Sequence, residues 1–407
     1  MSWEAVIGIE IHVQLRTATK MFCPCAIPAE GDAPNTRTCP TCLGLPGALP
    51  VPNRTAIEKV LAVGAAIGAK SPATTCWDRK NYFYPDMPKD YQVSQYDEPL
   101  CVDGYLDVTV PTDDGPMVVR VGIERVHLEE DTGKLTHAGG ATGRIHGADY
   151  SLVDYNRAGI PLVEIVTKPV YGAGAEAPEL AAAYVRSVRE IVKGLGVSDA
   201  KMERGNVRCD ANVSLRPHGQ EKLGTRTETK NVNSLRSIER AVRYEIQRQA
   251  ALLAKGTAII QETRHWHEDR GYTSAGRPKS DADDYRYFPE PDLVPVQPSV
   301  AWIEEIRAAL PENPSLRRKR LMEAWGFAEL EFRDVVNSDL LDQVEATVAA
   351  GAAPQAARKW WTGELARLAN SQEVAVQDLA ITPAQVAKIQ QLIDSGELTD
   401  RMARGVV

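Results

Sequence analysis

Four of the seven cysteines lie within twenty residues of one another, in a spacing that can hold a metal ion. Cys23 and Cys25 form one close pair, and Cys39 and Cys42 form a second pair thirteen residues further on. Two such pairs of thiolates can surround one tetrahedral Zn²⁺ ion, with sulfur filling all four positions. The spacing therefore predicts a structural zinc site, and four buried or incidental cysteines are the alternative.

Glu10 and His12 lie two positions apart in a stretch where apolar and polar residues alternate. Because alternate residues of a strand point to the same face, both side chains would lie opposite the apolar series Ile7, Ile9 and Ile11. A carboxylate beside an imidazole can form half of a divalent-metal site or an acid–base pair. A solvated strand face would show the same pattern, so both interpretations stay open.

Two further groups of carboxylates could complete a metal site. Glu129, Glu130 and Asp131 are consecutive, and adjacent carboxylates repel one another unless a cation or water lies between them. An acidic surface turn is the alternative for these three. Glu164 is a single carboxylate in the apolar run 160–166, and a buried carboxylate needs a cationic partner. Mg²⁺ binds carboxylates together with phosphate oxygens, so it is a suitable ion.

Two polar stretches could bind a nucleotide or RNA. The polar side of a second alternating run carries Arg208, Asp210 and Asn212. The pattern continues after a turn-rich gap with Arg226, Glu228 and Lys230. Such rows of mixed charge could line a nucleotide groove or form salt bridges on a solvated sheet. The segment 79–92 mixes lysine and arginine with tyrosine and phenylalanine, a combination that suits RNA or a ligand cleft.

The chain lacks three motifs that are typical of nucleotide-binding or acyl-transfer enzymes. Gly133 and Lys134 are not preceded by the upstream glycine of a phosphate-binding P-loop, because position 128 is leucine. No GxGxxG motif follows a strand pattern, and no GxSxG nucleophile motif is present. If the chain uses ATP, metal ions and a sheet surface would have to bind it.

These residues must be positioned by a mixed α and β architecture. Alternating or apolar runs predict strands at four places: 6–16, 118–123, 160–166 and 206–216. Helical spacing with caps predicts helices at 179–195, 234–255, 302–310, 315–325, 339–350, 355–369 and 382–395. The front part should therefore be an α+β domain, mostly an antiparallel sheet with helices on one side. A proline-rich stretch near 289–292 predicts the boundary to an all-α region.

The composition is that of an ordinary globular protein. The 407 residues are 43% hydrophobic and 25% charged, with a net charge of −8, which excludes disordered chains, fibres and coiled-coil rods. A mildly acidic chain is not a non-specific nucleic-acid coat, although a local basic patch could still position RNA. The sequence shows neither a signal peptide nor a membrane-spanning run, so we expect a cytoplasmic protein without a membrane partner.

Six segments together match the motifs of one known family. They are GIEIHVQL at 8–15, DRKNYFYP at 78–85, HLEED at 127–131, DYNRAG at 154–159, RCDAN at 208–212 and YFPEPD at 287–292. These segments closely resemble the B subunits (GatB) of tRNA-dependent amidotransferases, over essentially the whole chain. The resemblance implies a cradle domain at 1–292, similar in fold to the glutamine synthetase catalytic domain, with the zinc knuckle at 23–42. It also implies a helical domain at 293–407 and the absence of the family's C-terminal tail domain.

The resemblance implies an ATP-dependent ligase that acts in protein biosynthesis. The side-chain carboxylate of misacylated Glu-tRNA(Gln), Asp-tRNA(Asn) or both would be phosphorylated and then amidated with ammonia. The ammonia would come from an amidase subunit, GatA, in a heterotrimer that also contains the small subunit GatC. A non-catalytic tRNA-binding scaffold subunit with a structural zinc knuckle is the alternative.

The same resemblance implies roles for particular residues. Glu10, His12, Glu130 and Glu164 would be the Mg²⁺ ligands. Lys80 and Lys89 would lie near the outlet of the ammonia channel, where Lys89 and Glu130 would form a gate. Weaker candidates for the nucleotide site are Glu129, Asp131, Arg208, Asp210 and Lys230. The implied cofactors are ATP, Mg²⁺ and structural Zn²⁺.

Overall fold

The structure, a computed structural model, describes residues 3–139, 147–202, 204–278 and 285–406. These residues form two compact units, one that ends at Asn313 and one that begins at Pro314. The helical domain was predicted to begin at residue 293, but the structure places the segment 293–313 in the first unit. The physical reason is packing, because Leu293 is buried in the core of that unit and Trp302 packs against the same core.

Thirteen strands and four helices build the first unit. The strands are β1 (Trp3–Gln14), β2 (Asp78–Asn81), β3 (Tyr91–Ser94), β4 (Cys101–Thr112), β5 (Gly115–Glu130), β6 (Lys134–Ala138), β7 (Tyr150–Asp154), β8 (Pro161–Thr167), β9 (Val207–Pro217), β10 (Thr227–Lys230), β11 (Glu262–His267), β12 (Tyr272–Pro278) and β13 (Phe288–Pro289). The helices are α1 (Arg54–Ala66), α2 (Ala177–Gly194), α3 (Leu235–Ala254) and α4 (Val300–Ala308). These counts refer to the described residues.

An eight-stranded sheet organises this unit, with the strand order β12-β11-β10-β9-β1-β8-β5-β4. Among the described residues, β10 and β11 are its parallel pair, and the other neighbouring strands are antiparallel. Two small sheets accompany it, one with the order β13-β2-β3 and one formed by β6 and β7. The predicted α+β class is confirmed.

The alternating pattern of β1 decides which side of the sheet is the core. Ile7, Ile9, Ile11 and Val13 are each no more than 2% exposed, and helices α1, α2 and α3 cover their face. The opposite face carries the polar residues of the same strands. Helix α3 begins as predicted, because the hydroxyl of Ser234 accepts a hydrogen bond from the backbone N–H of Ser237 at 3.0 Å.

Several elements had no counterpart in the sequence predictions. Helix α1 was missed, although Asn53 caps it by accepting from the N–H of Ala56 at 3.2 Å and its buried residues Ile57, Val60 and Leu61 have helical spacing. The strands β2, β3 and β13 are two to four residues long. Such short strands do not contain enough residues to show a periodic pattern.

The second unit is all helical in its described part. It contains α5 (Pro314–Trp325), α6 (Glu329–Asn337), α7 (Leu341–Ala349), α8 (Pro354–Lys359), α9 (Ala366–Gln372), α10 (Pro383–Asp394) and α11 (Asp400–Val406). The predicted helix 355–369 is interrupted by a π-helical segment, Trp360–Leu365, which buries Trp361. Thr382 caps α10 with Pro383 at the first position, as predicted. None of the helices described in either unit combines the length and apolar character needed to cross a membrane.

Candidate active site on the polar face of the large sheet

Charged side chains from adjacent strands meet on the polar face of the eight-stranded sheet. Strand β1 is the centre of this arrangement, because it pairs with β8 on one side and β9 on the other. His12 lies opposite Glu164 of β8 and Arg208 of β9, and Glu10 lies opposite Asp210 of β9. Directly opposed residues of paired strands share a face, so the strand register brings these side chains together.

His12, Glu129 and Glu164 form a compact group, which we call the histidine cluster. Nε2 of His12 lies 3.5 Å from Oε1 of Glu129 and 3.7 Å from Oε2 of Glu164. One ligand atom from each residue lies within 4.8 Å of the other two. Glu129 is 2% exposed and Glu164 is 8% exposed. Two buried carboxylates around one imidazole carry excess negative charge, so the donor set fits a divalent cation.

The two carboxylates of the histidine cluster have opposite pKa shifts. Burial raises the pKa of Glu129 above its usual value, and the charge of Glu164 adds to the rise although His12 opposes it. Burial also acts on Glu164, but His12 and His127 outweigh it and hold the pKa of Glu164 well below its usual value. For His12, burial lowers the pKa, while Glu164 and Glu129 raise it to a net value above normal. Glu164 is therefore the firmly ionised member.

His127 supports the histidine cluster from within the sheet, a role that was not predicted. Its Nε2 atom lies 3.1 Å from Oε2 of Glu164, and the residue is 2% exposed. Its Nδ1 atom is buried without a hydrogen-bond partner among the described residues. A buried N–H without a partner costs more than a buried lone pair, which favours the tautomer that donates from Nε2 to Glu164. The sequence pattern could have indicated this role, because His127 lies two residues before Glu129 and alternate residues of a strand share a face.

A second group, which we call the acidic cluster, consists of Glu10, Asp210 and Glu228. One carboxylate oxygen from each lies within 4.8 Å of the other two. Nδ2 of Asn212 donates to Oε1 of Glu10 at 2.9 Å, and Nζ of Lys230 lies 2.6 Å from Oδ2 of Asp210. Burial lowers the pKa of Lys230, but Asp210 and Glu228 raise it to a net value above normal. Glu228 belongs to the polar row of mixed charge that the sequence indicated, together with Lys230.

Two arginines lie beside the histidine cluster, on the buried carboxylate of Asp131. Nη2 of Arg208 lies 2.6 Å from Oδ2 of Asp131, and Nε of Arg157 lies 3.6 Å from the same oxygen. Arg157 also donates to the backbone carbonyls of Thr132 and Gly133 at 2.9 and 2.7 Å. Both guanidinium groups are thus held in place, and Arg157 was not predicted as a site residue.

Lys80 reaches the histidine cluster from the small sheet. Burial lowers the pKa of Lys80, but the charges of Tyr287, Glu129 and Glu164 raise it to a net value above normal. The ammonium group lies 4.8 Å from the centre of the Tyr285 ring. Lys80 therefore stays charged and interacts electrostatically with both buried carboxylates of the cluster.

The structure separates Glu130 from the other three predicted Mg²⁺ ligands. Consecutive residues of a strand point to opposite faces, so Glu130 lies on the core side of β5 and Glu129 on the polar side. Glu130 forms an ion pair with Lys89 and accepts the backbone N–H of Val93 at 3.0 Å. A single set of Glu10, His12, Glu130 and Glu164 is therefore not formed, and Glu129 takes the place beside His12.

The Lys89–Glu130 pair lines a cavity of about 340 Å³ that also contacts the cysteine site. Sγ atoms of Cys23, Cys25, Cys39 and Cys42 all lie within 4.8 Å of one another. A tetrahedral zinc ion with Zn–S bonds of about 2.3 Å separates its sulfurs by roughly 3.8 Å, so the four thiols fit this metal. The hydrogen bond from Cys23 and the backbone N–H of Cys39 help to lower the pKa of Cys42 to about 5.

Comparisons with known proteins agree with this geometry. Residues 5–304 match the family described as the GatB/GatE catalytic domain, and residues 342–407 match the family described as the GatB domain. Three relatives are named as B subunits of an aspartyl/glutamyl-tRNA(Asn/Gln) amidotransferase. They come from Leifsonia xyli subsp. xyli, Nocardioides sp. and Streptomyces avermitilis, and they are 64%, 61% and 60% identical over 405, 406 and 406 residues. Each alignment covers 100% of this chain and 80% of the relative. The chain therefore belongs to the GatB family of tRNA-dependent amidotransferases.

Proposed function

We propose that this chain uses ATP to activate the side-chain carboxylate of Glu-tRNA(Gln), Asp-tRNA(Asn) or both, as the names of its relatives suggest. The observation that carries the proposal is the presence of two groups of metal-binding side chains on one sheet face, the histidine cluster and the acidic cluster. A sheet face that binds two divalent cations suits the transfer of a phosphoryl group between two negatively charged reactants.

The reaction has two balanced steps. An oxygen of the substrate carboxylate attacks the γ-phosphorus of ATP, the bond from that phosphorus to the bridging oxygen breaks, and ADP leaves. The product is a mixed anhydride of the carboxylate and phosphate. Ammonia then attacks the acyl carbon, the bond from carbon to the phosphate oxygen breaks, and inorganic phosphate leaves. The nitrogen loses one proton, and the side chain becomes an amide.

The residues of the two clusters would each hold one Mg²⁺, and this proposal replaces Glu130 with Glu129 in the ligand set. When bound, Mg²⁺ supplies charge neutralisation at the phosphate oxygens. The chain adds fixed cations around them: Lys80, Arg208 and Lys230. Because Asp131 orients Arg208 and Asp210 orients Lys230, these groups need little rearrangement as charge develops in the transition state.

A cavity beside the acidic cluster supports a site for the nucleoside part of ATP. It has a volume of about 570 Å³ and is lined by Gly8, Glu10, Asn212 and Arg226, among others. Ligand sites for small molecules typically occupy roughly 300–1,000 Å³, so the space suits a nucleoside. With the base in this cavity, the phosphates would extend towards the acidic cluster and then the histidine cluster.

The Lys89–Glu130 pair suits the delivery of ammonia from a partner amidase subunit. Its cavity lies on the core side of β5, while the histidine cluster lies on the polar side of the same strand end. Glu129 and Glu130 are adjacent, so only the end of β5 separates the cavity from the reaction centre. We propose that the ion pair closes this passage and that its opening admits ammonia, with a small subunit completing the heterotrimer.

Substitution Glu164→Gln tests the proposed function, because it removes a charge from the histidine cluster while keeping the side-chain shape. We expect the complex with its partner subunits to transfer radiolabelled γ-phosphate to Glu-tRNA(Gln) at least about 100-fold more slowly. Glu4→Gln is the matched control, since Glu4 lies in β1 outside both clusters and pairs with Arg216. A Glu164→Gln complex that phosphorylates its substrate at the normal rate would show that the carboxylate is activated elsewhere.

The scaffold alternative has less support from the same residues. Burial of Glu129 and Glu164 beside one another costs free energy, which a module that only binds tRNA would not recover. A scaffold would also leave ATP consumption unchanged in the Glu164→Gln complex. The phosphate-transfer assay therefore separates the two functions.

A further inference from the structure

Exposed aromatic side chains gather beside Lys80, around the small sheet that contains β2, β3 and β13. Phe83 is 65% exposed, Phe288 is 43% exposed, and Tyr84 and Tyr96 are each 39% exposed. We call these four residues the aromatic surface. A group of large exposed rings is unfavourable in water and indicates a surface that binds something.

A series of rings connects this surface to the reaction centre. Tyr96 stacks on Tyr287, with ring centres 4.4 Å apart and an angle of 12° between the planes. The ring of Tyr287 lies 6.1 Å from that of Tyr285, whose centre is 4.8 Å from the ammonium of Lys80. Lys80 in turn interacts electrostatically with Glu129 of the histidine cluster. A ligand that stacks on Tyr96 would therefore lie close to the catalytic residues.

Cationic side chains are interleaved with these rings. The guanidinium of Arg286 lies 5.5 Å from the centre of the Phe83 ring. That of Arg79 lies 5.8 Å from the Phe288 ring but is paired with Glu290 and Asp292, so Arg286 is the cation we assign to a phosphate. Rings that stack on bases and cations that attract phosphates are the combination that binds single-stranded nucleic acid. Aromatic and arginine side chains are also enriched at protein–protein interfaces, so the position of this surface beside the proposed reaction centre, and not its composition alone, favours RNA.

We propose that the aromatic surface stacks the unpaired bases at the 3′ end of the acceptor strand of tRNA. This inference rests on the proposed function, because the aminoacyl group is attached to that end and must reach the histidine cluster. Stacking tolerates any base, since every base has a π-face, so one surface serves both tRNA(Gln) and tRNA(Asn). The bases would lie on Phe83 and Tyr96, and the terminal ribose with its aminoacyl ester would extend past Lys80.

Two RNA hairpins test the stacking site directly on the complex of this chain with its partner subunits. Both contain the acceptor stem, and one ends in a short unpaired 3′ strand whose last base is the fluorescent 2-aminopurine, while the other is blunt. We expect the unpaired end to bind more tightly and its fluorescence to be quenched. Phe83→Ala and Tyr96→Ala should each weaken binding of the unpaired end about 10-fold and leave the blunt hairpin unaffected.

A control variant and the thermal midpoint separate stacking from general effects. Tyr105 is also exposed and also lies against an arginine, with the guanidinium of Arg120 4.2 Å from its ring centre, but it belongs to the edge strand β4. Tyr105→Ala should therefore bind both hairpins like the unaltered complex. Tyr96→Phe keeps the ring and should retain the affinity that Tyr96→Ala loses. Because the substituted side chains are exposed, we expect unchanged thermal midpoints.

Distinct outcomes would overturn the stacking site or the proposed function. Equal binding of both hairpins, or unchanged binding by both alanine variants, would overturn the stacking site. So would variants that bind RNA normally but no longer assemble with the partner subunits, since the surface would then be a protein interface. If the alanine variants lose the unpaired end but the unaltered complex never forms the acyl phosphate, the stacking site stands and the proposed function fails.

Discussion

At the residue scale, neighbouring carboxylates of β5 have different surroundings and therefore different chemistry. Glu129 faces His12 and Glu164 on the polar side, whereas Glu130 faces Lys89 on the core side. The pattern of the strand contains this information, because Leu128 is buried in the core and Glu130 shares its side. Resemblance to a family motif placed Glu130 in the metal set, and only the alternation of the strand distinguishes it from Glu129.

The hydrogen bond from His127 to Glu164 leads to a prediction about metal affinity. His127→Ala removes the group that orients Glu164, and such supporting bonds typically change metal affinity by about 10- to 100-fold. We expect titration calorimetry to show Mn²⁺ binding to the tRNA-free complex weakened by this factor. His127→Gln can still donate from its amide nitrogen and should recover part of the affinity.

His137 offers a matched control for that experiment. It lies in β6, where its Nδ1 atom is 2.7 Å from the hydroxyl of Ser151, outside both metal-binding clusters. His137→Ala should leave Mn²⁺ affinity unchanged. If His127→Ala binds Mn²⁺ as tightly as the unaltered complex, then His127 does not position Glu164 for the metal.

At the scale of elements, a buried carboxylate of α3 connects the helix to the far edge of the large sheet. Glu245 is fully buried and lies 2.9 Å from the guanidinium of Arg248 and 3.1 Å from that of Arg264 in β11. It also accepts the hydroxyls of Thr227 in β10 and Thr273 in β12. One side chain thus holds three strands and a helix, and these strands include the one that carries Glu228 and Lys230.

Stability should depend on the charge of Glu245. Burial raises the pKa of Glu245, but Arg248, Thr273 and Arg264 outweigh it and lower the pKa below its usual value. Because the pKa of this carboxyl is lower in the folded than in the unfolded state, its charge stabilises the protein above the unfolded pKa of about 4.3. That stabilisation is lost as the pH falls through the folded pKa. We expect Glu245→Gln to destabilise the first unit by about 3–5 kcal/mol at pH 7, because it removes the carboxylate that neutralises Arg248 and that, together with Glu262, neutralises Arg264.

Urea unfolding with pulsed hydrogen exchange on α3 peptides would measure this effect. The difference between Glu245→Gln and the unaltered chain should shrink as the pH falls below about 4.3, where the unfolded carboxyl takes up a proton, and through the lower folded pKa. Glu239 is the control on the same helix, since it pairs with Arg243 at a side chain that is 38% exposed. Glu239→Gln should change stability by less than about 1 kcal/mol. If Glu239→Gln and Glu245→Gln lowered the free energy of unfolding by similar amounts, the buried contacts of Glu245 would not have the stabilising role described here.

At the scale of the whole molecule, the cysteine knuckle joins segments that are distant in the chain. The backbone N–H of Asn35 donates to the side chain of Asp154 at 3.0 Å. The backbone N–H of Arg37 donates to the side chain of Asn156 at 2.7 Å. Lys20 is buried between Sγ of Cys42, at 3.8 Å, and the carbonyl of Tyr155, at 3.3 Å. The proposed zinc ion would therefore stabilise the segment 154–157, which positions Arg157 near Asp131.

Metal analysis and zinc removal test this connection. We expect about one equivalent of zinc in the reduced protein. Cys42→Ser or a chelator should increase hydrogen exchange in the segment 150–159. Cys76 lies outside the cluster, so Cys76→Ser should keep both the metal and the protection. Less than about half an equivalent of zinc in freshly purified protein would refute the site.

Local patterns in the sequence predict many of the secondary-structure features of this protein. The α+β class, the alternating faces of β1 and β9, the paired cysteines and the caps of α3 and α10 follow from periodicity and short-range chemistry. Strands of two to four residues and the interruption of a helix by the segment Trp360–Leu365 were not predictable in this way. Local patterns report which face of an element is buried, but short elements contain too few residues for a pattern.

Which of these residues lie together depends on how the strands and helices pack. The order of strands placed Glu164 and Asp210 on either side of β1, and it brought Lys80 to the histidine cluster from a separate sheet. Tertiary packing also pairs Glu130 with Lys89 and places Glu228 in the acidic cluster. Strand pairing and helix packing depend on residues that are far apart in the sequence, because the apolar faces of the whole unit are buried together. A local sequence pattern therefore does not predict them.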